Sequence, residues 1–287
     1  MSTQISTAFV QQYRANVMHL SQQKGSRLRN TVTTETIAGE SGYFDRIGAS
    51  AAQVRTTRHG DTPLMNTPHS RRKLDLADYE WADLCDKQDK VRMLIDPQSE
   101  YAMVGANAMG RSMDDVVITA ANGTAKTGKD GSGSAAFPAG QKIVAAAGGL
   151  TLAKLIAAAE LFNSNEIDPD DNKTMVIGPK QVTDLLNLNQ IQSVDTNRLR
   201  ALVDGAVVRY MGFDFIMSNR LNLDGASNRL CLAYTKSALT LGIGEDVVTK
   251  ITERDDKSYS TQVYLRMSLG AVRMEEAQVV EIACVEA

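Results

Sequence analysis

The sequence predicts an α+β fold, with helices gathered early and strands dominating the second half. Three observations carry this. A helical apolar period follows Pro97 and returns after Thr151. From Val207 onward, short apolar runs alternate with turn residues, the pattern of strands. The first 75 residues, by contrast, hold few large apolar side chains and many Thr, Arg, Ser and Gly.

Taken in order, residues 5–23 show a weak helical period through Ile5, Phe9, Tyr13, Val17 and Leu20. Residues 21–75 are polar, and pieces such as Gln53-Val54-Arg55-Thr56-Thr57 read as strands of an extended loop. Pro63 and Pro68 exclude a helix there. Such a segment buries too little apolar area to offset its ordering entropy, so it is expected to be disordered or to order on another subunit. Residues 74–95 are more apolar, with acids interspersed, and Asp96-Pro97 marks a boundary.

Pro97 suits the first turn of a long helix whose stripe is Tyr101, Val104, Ala108, Met109, Met113, Val116 and Val117. Gly105, Ala106, Ala108 and Gly110 would let another backbone approach it closely. Residues 122–140 read as an exposed, mobile Gly/Ser-rich loop. Thr151 can cap a second helix over 151–166, with Leu152, Leu155, Ile156, Ala159 and Phe162 as its apolar face. A turn at 168–172 leads to a buried strand, Thr174 to Ile177, and then a short helix over 180–188. Strands are expected at 207–217, 230–234, 238–242, 261–273 and 277–282.

Of the 287 residues, 43% are hydrophobic and 23% charged, ordinary globular usage. No apolar run reaches the roughly 18–20 residues needed to span a bilayer, and the first residues lack a secretory pattern. A soluble, cytoplasmically made chain is expected. The three cysteines, Cys85, Cys231 and Cys284, form no C-x-x-C pair and read as buried thiols. The net charge of -3 hides an asymmetry: residues 1–73 hold ten Lys/Arg against four Asp/Glu, and the remainder 21 against 30. A basic arm of +6 beside a body of -9 fits contact with a neighbouring copy better than dedicated DNA binding, which calls for a basic chain.

Several motifs invite a catalytic reading and fail on physical grounds. Gly123-Thr124-Ala125-Lys126-Thr127-Gly128-Lys129-Asp130 matches a P-loop except at its last position, where Asp130 sets a negative charge beside phosphate in place of a magnesium-binding hydroxyl. Ser70-Arg71-Arg72-Lys73 and Lys126-Thr127-Gly128 echo penicillin-binding motifs, but Ser70 opens no buried helix and the interval between them is short. Asp168, Asp170 and Asn172 begin like a calcium loop, yet Lys173 stands where Gly is needed and Pro179 where Glu is needed. His19, His59 and His69 have no metal spacing. Trp81 sits in an acid-rich alternating stretch and reads as a packing residue. No catalytic, cofactor-binding or metal residue is assigned, and no cofactor is expected.

Four stretches carry a family resemblance. Asp89-Lys90-Val91-Arg92, Asp96-Pro97 and Tyr101 through Asp114 resemble the start of the spine helix in tailed-phage major capsid proteins. Met175-Val176-Ile177-Gly178-Pro179 resembles their central A-domain strand and helix. Met211 to Asn219 and Gly270 to Ile282 resemble a later A-domain strand and the final P-domain strands. The chain thus resembles the Hong Kong 97-type fold family over about residues 40–285. The resemblance implies an N-terminal arm at 1–40, an E-loop at 41–85, a P-domain with spine helix at 86–148, an A-domain at 149–245 and a return to the P-domain at 246–287. It further implies a non-enzymatic major capsid protein of the virion that assembles as hexamers and pentamers around double-stranded DNA. Implied partners are a separate scaffolding protein, since no room for a scaffold domain is expected within these 287 residues, a portal and a decoration protein, with weak DNA contact and no membrane. An encapsulin-like nanocompartment and a soluble α/β enzyme with an unseen site stay open as alternatives.

Overall fold

The computed structural model describes residues 20–58, 60–62, 64–86, 98–146, 148–187 and 209–286. The chain forms two compact units. One gathers the described residues within 1–26, 78–111 and 245–267, the other those within 27–77, 112–244 and 268–287. In chain order the elements are β1 (Thr33–Thr36), β2 (Ser41–Ile47), β3 (His69–Asp75), β4 (Ala77–Cys85), α1 (Gln98–Asn122), β5 (Ala125–Thr127), β6 (Gly133–Ala135) and β7 (Lys142–Ile143). There follow α2 (Leu152–Ser164), β8 (Lys173–Ile177), α3 (Pro179–Leu186), β9 (Arg209–Tyr210), β10 (Phe213–Met217), β11 (Arg229–Thr235), β12 (Leu239–Arg254), β13 (Ser260–Arg273) and β14 (Val279–Cys284). This is the expected mixture of helix and sheet. The strands form three sheets, ordered β1-β12-β13-β4, β7-β14-β11-β8-β10-β9 and β2-β3-β5-β6. The elements α1, β12 and β13 supply residues to both units.

The larger unit is built on β8, whose five residues are all buried. It pairs parallel with β10 and antiparallel with β11. A strand covered on both faces has no use for polar alternation, which is why Met175-Val176-Ile177 reads as an unbroken apolar run, while buried Lys173 at its start is satisfied by the Asp168 and Pro169 carbonyls. Gly178-Pro179 ends the strand and opens α3, with Pro at the first helical turn where its missing N–H costs nothing. Thr151 caps α2 by accepting the N–H of Lys154, and Leu155, Ala158 and Phe162 are fully buried. Phe162 meets Phe213 of β10 at 5.9 Å between ring centroids, tilted by 53°. Buried Lys154 is satisfied by three carbonyls, those of Gly148, Gly149 and Ala283, at 2.8, 2.8 and 3.0 Å. A second small core joins Ile37, Leu74, Ala125 and Val272, with Phe44, Leu76 and Met274 at its margin.

In the smaller unit, Val263, Leu265 and Met267 alternate inward along β13. Trp81 packs there: a Cβ added to Gly105 of α1 would meet its ring at 2.6 Å and Leu265 at 2.7 Å. The packing role read for Trp81 is therefore what the structure shows.

Several expectations change. Ile156, read as part of the apolar face of α2, is 48% exposed. Gln53–Thr57 forms no strand and is exposed coil, because among the described residues no strand pairs with it. The loop expected at 122–140 is a hairpin, β5–β6, continuing the β2–β3 sheet through Arg72↔Thr127 and Lys73↔Lys126. Its turn is made by Gly128 and Gly131 at φ +92° and +74°, where a side chain would be strained. The strand expected at 238–242 runs on to Arg254. Finally, the segment before residue 75 does bury apolar side chains within its own chain: Leu28, Val32, Ile37 and Leu74 are all buried. They are few, and Leu20, Ile47, Val54 and Leu64 of the same segment stay exposed. Of the helical period read over residues 5–23, residues 20–23 are not helical and the rest lies outside the described residues, as do Asp89 to Pro97 and the strand start at Val207-Val208.

Candidate assembly surfaces

The segment after residue 20 is held by backbone bonds to polar side chains of α1. In the smaller unit, the Gly25 N–H donates to Asn107 Oδ1 at 3.2 Å, and Arg111 donates to Gln22 Oε1 and the Gln23 carbonyl at 2.9 and 3.3 Å. The backbone of Gly25-Ser26 lies so close to Gly110 that any Cβ there would overlap it. In the larger unit, the carboxylate of buried Asp114 accepts the N–H groups of Arg27 and Leu28, each at 3.1 Å. Arg27 donates onward to the Met217 carbonyl at 2.5 Å, and Thr31 shares a 2.7 Å hydroxyl bond with Tyr234. Burial pushes the Tyr234 phenol up, so it stays protonated. Asn107 and Asp114 were invisible to the apolar period, since both are polar residues on the buried stripe. The signal lay in the small residues, and Gly110 is the one a backbone approaches.

The β2–β3 hairpin leads into an exposed connection over residues 48–68. Ile47, Val54 and Leu64 are 69%, 88% and 96% exposed. One face of its sheet is charged. Arg71 holds Asp45 with two bonds, at 2.5 and 3.1 Å, and sits 5.7 Å from the Tyr43 ring. The Arg71 guanidinium keeps the Asp45 carboxyl below the usual carboxylate range. Asp75 is likewise held down, first by Lys126 and then by Lys73. A cleft of about 490 Å³ at this edge is lined by Asp45, His69, Ser70, Arg71, Gly128 and Lys129.

The opposite face carries three arginines on one carboxylate. Arg72 donates to Glu276, and Arg46 Nη1 and Arg273 Nε each lie 3.7 Å from it. Arg273 is wholly buried and bonds the Ala121 and Gly123 carbonyls at the end of α1 (2.9 and 2.6 Å) and that of Ala135 (3.1 Å).

The motifs set aside on sequence grounds now have places. Ser70, Lys73 and Lys126 do come together on paired strands, against the short-interval argument. But Ser70 and Lys73 are an odd number apart in a strand and face opposite sides. Ser70 instead accepts from Arg46 Nε at 3.1 Å, a guanidinium that cannot serve as a base. Lys126, in the P-loop-like run, is a strand residue paired to Asp75. The calcium-like loop is a turn whose own Lys173 ammonium bonds the Asp168 and Pro169 carbonyls at 3.2 and 3.5 Å. All three cysteines are buried. Cys231 is pushed well up by its thiol neighbour Cys284 and by burial, which leaves it a poor nucleophile. Of the histidines only His69 is described. Among the described residues no His, Cys, Asp or Glu group is arranged to hold a metal, and no helix is long and apolar enough to cross a membrane.

A long helix, a long two-strand hairpin, a sheet-centred α/β layer and an exposed hairpin with bare apolar side chains are the parts of a shell-building class of protein. The comparisons with known proteins agree. A model of the phage capsid protein family matches residues 5–286, and the chain belongs to that family. Its fold is that of solved capsid structures. The capsid of cyanophage P-SCSP1u matches with TM-score 0.76 at 17% identity, over 100% of this chain and 96% of that one. A structure from Mycobacterium phage Che8 matches with TM-score 0.72 at 14% identity over 96% and 97%. The capsid of a native GTA particle matches with TM-score 0.73 at 12% identity over 99% of both chains. No curated protein matches the sequence. The fold is Hong Kong 97-type, and the chain is a capsid shell protein of the tailed-phage kind, a component of the virion.

Proposed function

We propose that the chain is the repeating subunit of an icosahedral head, closing into pentamers and hexamers around packaged double-stranded DNA. The observation that carries this is the exposed connection over 48–68, whose Val54 and Leu64 stand in solvent on a single subunit. Several apolar side chains left uncovered by the described residues along one connection suit a contact surface. Heterologous contacts that close by rotation give rings, and rings give shells. In this reading 1–40 is an arm, 41–85 an E-loop, 86–148 the P-domain, 149–245 an A-domain and 246–287 the return strand. Arm and loop lie across neighbours, and their positive balance meets the acidic remainder. The role is structural, without catalysis. Partners are further copies of the chain, a separate scaffolding protein, a portal and a decoration protein, with assembly in the host cytoplasm. The acidic remainder neutralises few phosphates and lets DNA move.

Electron microscopy of the expressed full chain tests the reading: regular closed shells are expected, and monodisperse small particles under all assembly conditions would refute it. Because Leu28 is buried in its own subunit, the arm is tested by removing residues 1–19. Normal shells from that variant would remove the arm from the mechanism. Tight, salt-dependent DNA binding by the dispersed subunit would contradict the sliding role.

A further inference from the structure

We propose that Arg46, Arg72 and Arg273, at the root of the β2–β3 hairpin, form a binding site for an oxyanion beyond the resident carboxylate of Glu276. Three cations share that one anion. Glu276 accepts from Arg72 Nη2 and lies 3.7 Å from Arg46 Nη1 and from Arg273 Nε. The Met274 carbonyl accepts from Arg46 and, at 3.5 Å, from Arg72. The site therefore carries a surplus of two positive charges.

Two of the cations are removed from water, since the Arg72 and Arg273 side chains are 3% and 0% exposed. Arg273 Nε is buried with no hydrogen-bond acceptor. A lysine in such a place could shed its proton, but a guanidinium cannot, so the surplus persists. Burial lowers the proton affinity of Arg72 and of Arg273. Glu276 opposes this in both, and a neighbouring arginine adds to it less strongly, Arg46 for Arg72 and Arg72 for Arg273. Three guanidinium groups are thus gathered, two of them out of water, on one carboxylate.

It is open on one side. Arg46 and Glu276 keep 26% and 22% of their side chains exposed, and Arg46 is steadied by its Nε bond to Ser70 Oγ. A carboxylate or phosphate matches the guanidinium fork in shape and charge. In a shell, the oxyanion is a carboxylate side chain of a second copy, whose residues beyond 73 carry the balance of -9. That choice of source rests on the shell reading, while the site itself does not.

The test uses inorganic phosphate on the dispersed full-length subunit, with chloride at matched ionic strength as control. Wild type is expected to gain roughly 2–4 °C in Tm at saturating phosphate. Arg46→Gln is expected to lose the gain. Glu276→Gln removes the resident anion, so it should melt lower without phosphate and gain more with it. A purely structural Glu276 would give the lower Tm without the larger gain. No gain over chloride in wild type and Glu276→Gln, or an equal gain in Arg46→Gln, overturns the site. If Arg46→Gln does not fold, the Glu276→Gln comparison decides alone. Equilibrium dialysis of labelled phosphate against assembled shells separates the sources: lost binding means a neighbour's carboxylate fills the site, and retained binding means a free anion does. If wild type forms no shells, the shell reading fails, and the result on the subunit still stands or falls by itself.

Discussion

Asp114→Asn is the sharpest probe of how the arm is tethered. The side chain is fully buried on α1, and its two oxygens accept the N–H of Arg27, one of them also that of Leu28, all at 3.1 Å. Asparagine keeps the shape but replaces one acceptor oxygen with an NH₂ group and removes the charge. With Oδ1 kept, both N–H groups retain an acceptor, but it is neutral, and the Arg27 N–H meets an NH₂ donor where Oδ2 accepted it. Weakening two bonds to a charged acceptor and setting donor against donor costs about 1–3 kcal/mol. That corresponds to roughly 5- to 150-fold in a local opening equilibrium. Hydrogen exchange on the dispersed subunit reads it directly: amide protection over residues 27–32 should fall by that factor. The docked side chains Leu28 and Val32 are otherwise untouched, so protection in β8 and β11 should fall only as far as global stability does. Unchanged protection at Arg27 and Leu28 would refute the carboxylate as their anchor.

Other expectations follow from single contacts. Gly110→Ala would gain up to about 1 kcal/mol in helix propensity, yet its methyl overlaps Gly25-Ser26. A net loss of roughly 1–3 kcal/mol is expected from the overpacking, measured by urea denaturation. Lys154→Met leaves three carbonyls without their shared donor. The expected loss is about 3 kcal/mol, seen as a lower urea midpoint at unchanged slope. Acid sensitivity has a worked sign: Asp75 and Glu286 have folded pKa values depressed below 3.8 and 4.5, by Lys126 and by Arg229 in first place. A depressed carboxylate contributes stability that is complete above its unfolded pKa and is lost as pH falls through the folded one. Urea midpoints should therefore be flat above about pH 5 and decline below about pH 4.5, with Arg229→Gln shallower because Glu286 loses its partner.

Much of the larger unit was legible in the sequence because local signals and tertiary packing agree there. Thr151 caps α2 as its hydroxyl predicts, and Met175-Val176-Ile177 of β8 are apolar in succession because both faces are covered. The failures share a cause. Gly123 to Ala135 reads as a loop because its composition is that of a turn, but three residues on either arm suffice for strands once β3 supplies the ladder. Gln53–Thr57 has the better strand composition and no ladder, so it stays coil. Strand formation at these lengths is decided by a partner far along the chain, and a single-sequence period does not carry that information.

The same reasoning explains why the candidate sites escaped a residue-by-residue reading. Arg46, Arg72 and Arg273 are spread across more than two hundred positions, and each looks like an ordinary surface charge. They meet because β2 pairs with β3 and because the turn after β13 brings Glu276 beneath them. The rejected motifs show the converse: Ser70 and Lys73 are close in sequence, and the strand period sends them to opposite faces. Proximity along the chain gave a motif without a site, and proximity across a sheet gave a site without a motif. For a shell protein this is the expected direction of error, because its chemistry is surface complementarity and is written in pairings, not in spacings.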